Sequence, residues 1–144
     1  MTEAERFSDE HTIERVAQPA DIDENGHVSN LVYLRWVLDA AVSHSEAVGW
    51  DHAHYVRIGA AFFVRRHEID YLAAAMEGDR VKVITHIASW SAATSQRKTR
   101  IVRESDGREL ARSVTTWAFV GMNGRPRRIP PEVLDAFRAK PRVS

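Results

Sequence analysis

Apolar and polar positions divide the chain into segments of two periods. From His11 to Gln18, Ile13 and Val16 stand among polar residues, which predicts a short strand that Pro19 ends. From Leu31 onward the period changes. Leu31, Leu34, Leu38, Ala41 and Val48 keep helical spacing, Tyr33, Trp36, Val37 and Ala40 form a second apolar face, and Arg35, Asp39, Ser43 and Glu46 leave a narrow polar stripe. Gly49 is placed to stop this helix. Gly59 to Tyr71, Asp79 to Trp90, Thr94 to Glu104 and Arg108 to Met122 are rich in Val, Ile, Thr and aromatics. Gly78-Asp79, Asp106-Gly107 and Asn123-Gly124 punctuate them, so the pattern predicts long antiparallel strands. Pro130-Pro131 opens a last short helix, Pro131 to Ala139.

A helix apolar around most of its circumference needs cover on most sides. A strand from Gly59 to Tyr71 would run ~40 Å at 3.3 Å per residue, against ~27 Å for the helix at 1.5 Å per residue. The sheet therefore has the reach to curl around the helix, giving one α+β domain over residues 1–144.

The 144 residues carry 20 basic and 20 acidic side chains and no cysteine. A disulfide framework and a thiolate metal site are therefore excluded, and a reducing, cytoplasmic setting is expected. No apolar run approaches the ~18 residues of a membrane helix. The zero net charge hides an asymmetry. Residues 1–30 hold eight acids and two bases, 31–96 seven and six, and 97–144 five and twelve. The basic third reads as strand with arginines on a solvated face, without a helix-turn-helix or RNP-like pattern, so nucleic acid is not the expected partner.

The chemistry-bearing types concentrate at Asp21-Ile22-Asp23-Glu24-Asn25-Gly26-His27-Val28-Ser29-Asn30, just before the long helix. An Asx-rich turn is ordinary capping chemistry, with Gly26 merely allowing the turn. The same position is also where a helix offers unpaired N–H groups to a developing negative charge. Elsewhere the signals are weaker. Asp51-His52-x-His54 supplies metal-ligand types on an expected loop but too few for a zinc site, and no metal is expected. No Gly-x-Ser-x-Gly elbow occurs. His44, His67 and His86 fall within helix or strand patterns as structural or solvent-facing residues.

Asp21-x-Asp23-x-x-Gly26-His27-Val28-x-Asn30-x-x-Tyr33, followed by Val64 to Leu72, the Gly78-Asp79 turn and Gly124 to Pro130, resembles the hotdog-fold acyl-CoA thioesterases of the 4-hydroxybenzoyl-CoA thioesterase type. That resemblance implies a long central helix wrapped by a curled antiparallel sheet of five to six strands. It implies hydrolysis of an acyl-CoA to free acid and CoA without a cofactor, in a homodimer or homotetramer with shared sites. Asp23 becomes the catalytic general base or nucleophile, His27 its aide, and Asn30 a carbonyl-polarising group at the helix start. Gly26, Ser29 and Tyr33 become pocket lining, and Arg125, Arg127 and Arg128 candidates for the CoA phosphates.

The Ser91 to Thr94 turn lacks the basic residues some members place against those phosphates, which shifts the expectation to the Arg125 to Arg128 run. The Gly26-His27-Val28 wording is closer to fatty-acyl members and argues against aromatic-acyl specificity. Three other readings compete. The carboxylate could be Asp39 or Glu46 on the helix, the enzyme could be an enoyl-CoA hydratase of this fold, or the module could bind acyl-CoA without turnover.

Overall fold

The computed structural model describes residues 6–140. Five strands, β1 (His11–Val16), β2 (Ala60–Tyr71), β3 (Arg80–Trp90), β4 (Thr94–Arg103) and β5 (Glu109–Gly121), form one open sheet. Their order is β1-β3-β4-β5-β2 and every pairing is antiparallel. The central helix α1 (Asn30–Ala47) packs on one face of this sheet, between β1 and β2 in sequence. α2 (His52–Ile58) leads into β2, and α3 (Pro131–Phe137) closes the far end. No helix among the described residues is long and apolar enough to cross a membrane.

Ser29 starts α1 by accepting the Leu31 N–H on its hydroxyl at 3.2 Å, an ordinary N-cap. Past Val48, Gly49 takes φ 93°, where glycine carries no Cβ penalty. The face turned to the sheet is Val32, Tyr33, Trp36, Val37, Ala40, Ala41 and His44, at positions three, four and seven apart as one helical face requires.

The expected cover on most sides of the helix is not what the single chain provides. Leu31 is 68% and Val42 56% exposed, and Leu34 and Leu38 are half-buried. The second apolar face read from the sequence is the one that meets the sheet, joined by Ala41 of the first, while Leu31 of the first looks outward and Leu34 and Leu38 lie between. Local apolarity does not reveal which of two adjoining faces the sheet will choose.

Two clusters make the core. One joins Val32, Trp36 and Val37 of α1 to Val81, Val83, Ile101 and Leu110 of the sheet. The other gathers Ile87, Phe119, Ile129, Val133 and Phe137 under α3.

The helix α2 is a further departure, since the expected reading was a loop. Asp51 caps it, accepting the His54 N–H at 3.0 Å and meeting His54 Nδ1 at 2.7 Å. Those hydrogen bonds hold the exposed Asp51 carboxyl below its ordinary range. An Asp before a short amphipathic segment is a helix start as readily as a turn, and only the packing of Tyr55 against Trp50 and Phe62 decides. No group of three potential metal ligands gathers among the described residues.

Candidate active site

Residues 21–29 fold into a compact loop that delivers the chain to the start of α1. Asp23 N–H donates to the His27 carbonyl at 2.8 Å, and Gly26 N–H to the Asp23 carbonyl at 3.0 Å. Gly26 sits at φ 82° with nothing within 4 Å of where a Cβ would project. Backbone freedom, and not close approach, explains the glycine. The Asp23 carboxylate accepts on Oδ1 from Asn25 N–H at 2.9 Å and His27 N–H at 3.4 Å. Its Oδ2 has no protein partner among the described residues. Asp21 is spent otherwise, since its carboxylate takes the Gln18 N–H at 2.9 Å and its carbonyl takes the Ser29 N–H.

Asp23, His27, Asn30 and Tyr33 line one cleft of about 330 Å³ together with Val28, Tyr71 and the Leu72–Ala74 segment. Asp23, His27 and Asn30 are exposed and Tyr33 is buried. Asn30 occupies the first helical position, where no intrahelical acceptor exists for its N–H, and none is made to the described residues outside the helix. The partial positive charge of the helix start therefore faces the cleft that Asp23 borders.

Tyr33 has a defined structural task. Its hydroxyl accepts the Ala75 N–H at 2.8 Å and donates to the Ala73 carbonyl at 3.4 Å, and burial pushes its pKa up. Tyr71, which the sequence reading did not single out, donates to the Asn30 carbonyl at 3.4 Å and stacks edge-on to Tyr33. Its place at the end of a strand that returns to the helix start was the signal available.

Gly26 and Ser29 belong to this loop as turn and cap without lining the cleft. Arg125, Arg127 and Arg128 are exposed and lie elsewhere, past the end of β5. Arg127 donates to the Ile58 carbonyl at 2.7 Å, tying that tail to the end of α2. Within one chain the structure does not bring these arginines to Asp23. The two carboxylates on the helix are also apart from the cleft. Asp39 pairs with Arg15 at 3.5 Å, and Glu46 borders a second cavity near the end of α1.

That second cavity holds the residue whose position the sequence reading missed. Arg97 is only 5% exposed, although arginines of this strand were expected on a solvated face. Strand parity carried the information. Ser95, Arg97, Thr99 and Ile101 share one face of β4, and all four are buried. Arg97 Nη1 donates to His44 Nδ1 at 2.8 Å and to Thr85 Oγ1 at 3.1 Å. Burial first, and then the Arg97 charge, lowers the His44 pKa to about 3. His44 is therefore neutral, with Nδ1 as acceptor.

A helix laid on one face of an open antiparallel sheet, with a carboxylate-bearing turn at the helix start, is the arrangement that the sequence resemblance to the hotdog-fold thioesterases implies. The sequence pattern of the Thioesterase-like superfamily matches residues 17–137, and the chain belongs to that family. Among solved structures it is similar to a 1,4-dihydroxy-2-naphthoyl-CoA thioesterase from Synechocystis, at 24% identity and TM-score 0.83 over 90% of this chain and 96% of that one. It is also similar to a DHNA-CoA thioesterase from Staphylococcus aureus, at 21% and 0.82 over 89% and 88%. A hypothetical protein from the same organism, solved in complex with CoA, matches at 15% and 0.84 over 90% and 82%. At these identities the likeness is one of fold.

Proposed function

We propose that the protein hydrolyses acyl-CoA thioesters to the free acid and CoA, with Asp23 as general base or nucleophile. The observation that carries this reading is that Asp23 and Asn30, whose backbone N–H has no acceptor among the described residues, line one cleft. Attack on a thioester carbonyl places negative charge on its oxygen, and a preorganised N–H at a helix start stabilises that charge. One such donor is typically worth roughly 2.7–4 kcal/mol in the transition state. Asp23 either attacks the carbonyl carbon itself, giving an anhydride that water then hydrolyses, or takes the proton of a water that attacks there. In both cases the C–S bond breaks and CoA leaves as its thiolate. His27 stands beside it as orienting or carbonyl-bonding partner.

Two of the similar structures are named as thioesterases of acyl-CoA substrates and the third holds CoA, which supports the substrate class. The test is direct, because a chain without cysteine gives no background with a thiol reagent. Release of CoA thiol from a panel of acyl-CoAs is the expected result, and binding without turnover across the panel would overturn the reading in favour of a non-catalytic module.

The proposal includes a homodimer. β2 is an edge strand without a partner on one side, and Phe63, Val64 and Tyr71 along it are exposed. Exposed edges invite pairing, and the outward Leu31 and Val42 leave an apolar helix stripe uncovered. If two β2 strands pair antiparallel about a two-fold axis, the Tyr71 end of one lies beside the Ala60 end of the other. Ala60 pairs with Gly121, next to the tail that carries Arg125, Arg127 and Arg128. A second copy would thus bring its arginines toward the Asp23 cleft, where guanidinium groups suit CoA phosphates. A dimer of the 16.3 kDa chain is expected at micromolar concentration in sedimentation experiments. A monomer under those conditions that still turns over would sink the shared-site arrangement.

A further inference from the structure

The cavity beside the end of α1 measures about 280 Å³ and shares no lining residue with the Asp23 cleft. Its volume lies just below the ~300–1,000 Å³ typical of pockets for drug-sized ligands, which suits a smaller molecule. Phe62, Ile87, Trp90, Trp117 and Phe137 make its walls largely apolar, and Arg97 reaches it from β4. No carboxylate among the described residues pairs with Arg97. Glu46 is exposed, and Asp51 is engaged by His54. The guanidinium rests on neutral acceptors, His44 and Thr85, through Nη1 alone, with the Phe137 ring 6.0 Å from its Cζ. Neither Nε nor Nη2 has a protein acceptor among the described residues. The indole N–H groups of Trp90 and Trp117 are buried and unpartnered as well.

A buried cation without a counter-charge is costly. Burial lowers the Arg97 pKa to about 10, which leaves it charged at neutral pH. A donor-rich, cationic site inside an aromatic cavity has the composition of a receptor for an anion with an apolar body. We infer that this cavity binds a small apolar carboxylate, its acid group meeting Arg97 and its body the aromatic walls. The carboxylate has two possible sources, a free acid or the far end of a dicarboxylic acyl group. In the two-fold pairing proposed above, the Ala61 and Phe62 wall of one copy would approach the Asp23 cleft of the other. The second source rests on the thioesterase reading, and the first does not.

The experiment is calorimetric titration of the wild-type protein with 2-naphthoate and with 2-naphthamide, which share a body and differ in charge. The acid is expected to bind at least tenfold more tightly. In Arg97→Gln, whose folding is checked by its thermal transition, the preference is expected to vanish. Equal binding of acid and amide by the wild type, or binding of neither, would overturn the inference without recourse to any variant.

Two non-hydrolysable thioethers then separate the sources. Displacement of bound naphthoate by S-(5-carboxypentyl)-CoA but not by S-hexyl-CoA assigns the cavity to the acid end of an acyl group, and displacement by neither assigns it to a free acid. Equal displacement by both would overturn the charge-based reading and leave an apolar acyl pocket. None of these readouts requires turnover, so a failed thioesterase assay and a failed cavity assignment are distinguishable.

Discussion

Asp23→Asn is expected to lower the rate of acyl-CoA hydrolysis by about 10²- to 10⁴-fold, the usual range for losing a positioned acid–base group, while leaving the fold unchanged. The substitution is chosen because Asp23 already has a structural task. Its Oδ1 accepts the N–H groups of Asn25 and His27, and an Asn side-chain oxygen makes the same turn. If capping were its whole role, the Asn variant would turn over like wild type. Removing the charge but keeping the acceptor therefore isolates the chemistry. Asp23→Ala would confuse the two, because it deletes the cap as well. The measurement is initial-rate CoA release with the thermal midpoint recorded beside it. Wild-type turnover in the Asn variant would demote Asp23 to a turn residue. It would move attention to Glu46, which borders the other cavity, ahead of Asp39, which is paired with Arg15.

Acidification is expected to cost the protein stability well before its carboxylates titrate. His44 is buried, lies beside the Arg97 guanidinium and stacks on His11 at 5.2 Å. Its pKa falls from 6.5 to about 3, through burial first and then repulsion from Arg97, His11 and His86. A group depressed in the folded state leaves the unfolded chain to bind the proton first. Stability is therefore complete above pH 6.5 and drains away as pH falls from there toward about 3. One such site contributes roughly 1.4 kcal/mol per pH unit, or about 2 kcal/mol between pH 7 and 5. His11, His67 and His86 are lowered as well, chiefly by burial, and add in the same direction. Urea midpoints at pH 7 and pH 5 read the effect. His44→Asn, which can still offer Arg97 an acceptor but cannot titrate, is expected to lose about 2 kcal/mol less over that interval. Parallel losses in the two proteins would refute the assignment to His44.

The strands were legible to within a residue or two because β-branched runs and Asx-Gly turns are local signals. Asp79–Trp90 against β3 at Arg80–Trp90 is typical. The helix was legible from its spacing and its Gly49 stop. What could not be read locally was partnership. Tyr33 looks like core or pocket until Ala75, 42 residues away, claims its hydroxyl. Arg97 looks solvated until β3 and α1 close over it. The Asp51 turn becomes a helix because Tyr55 packs against Trp50 before it and Phe62 of β2 after it, a tertiary contact that helical spacing alone does not announce. At the candidate site the loop chemistry is written in the sequence. The gathering of Asp23, His27, Asn30 and Tyr33 follows from one short turn feeding one helix, whereas the place of Arg125, Arg127 and Arg128 depends on long-range return of the chain.

The Tyr33 hydroxyl has a kinetic corollary. It ties Ala73 and Ala75 to the helix, and the Ala75 carbonyl in turn takes the Val28 N–H at 2.9 Å. The irregular stretch opposite the helix tip is thereby stitched to the same rigid body that carries the Asn30 N–H. In the proposed reaction an incoming carbonyl would meet dipoles whose spacing was fixed during folding, so that little reorientation energy would be left to supply at the moment of bond making.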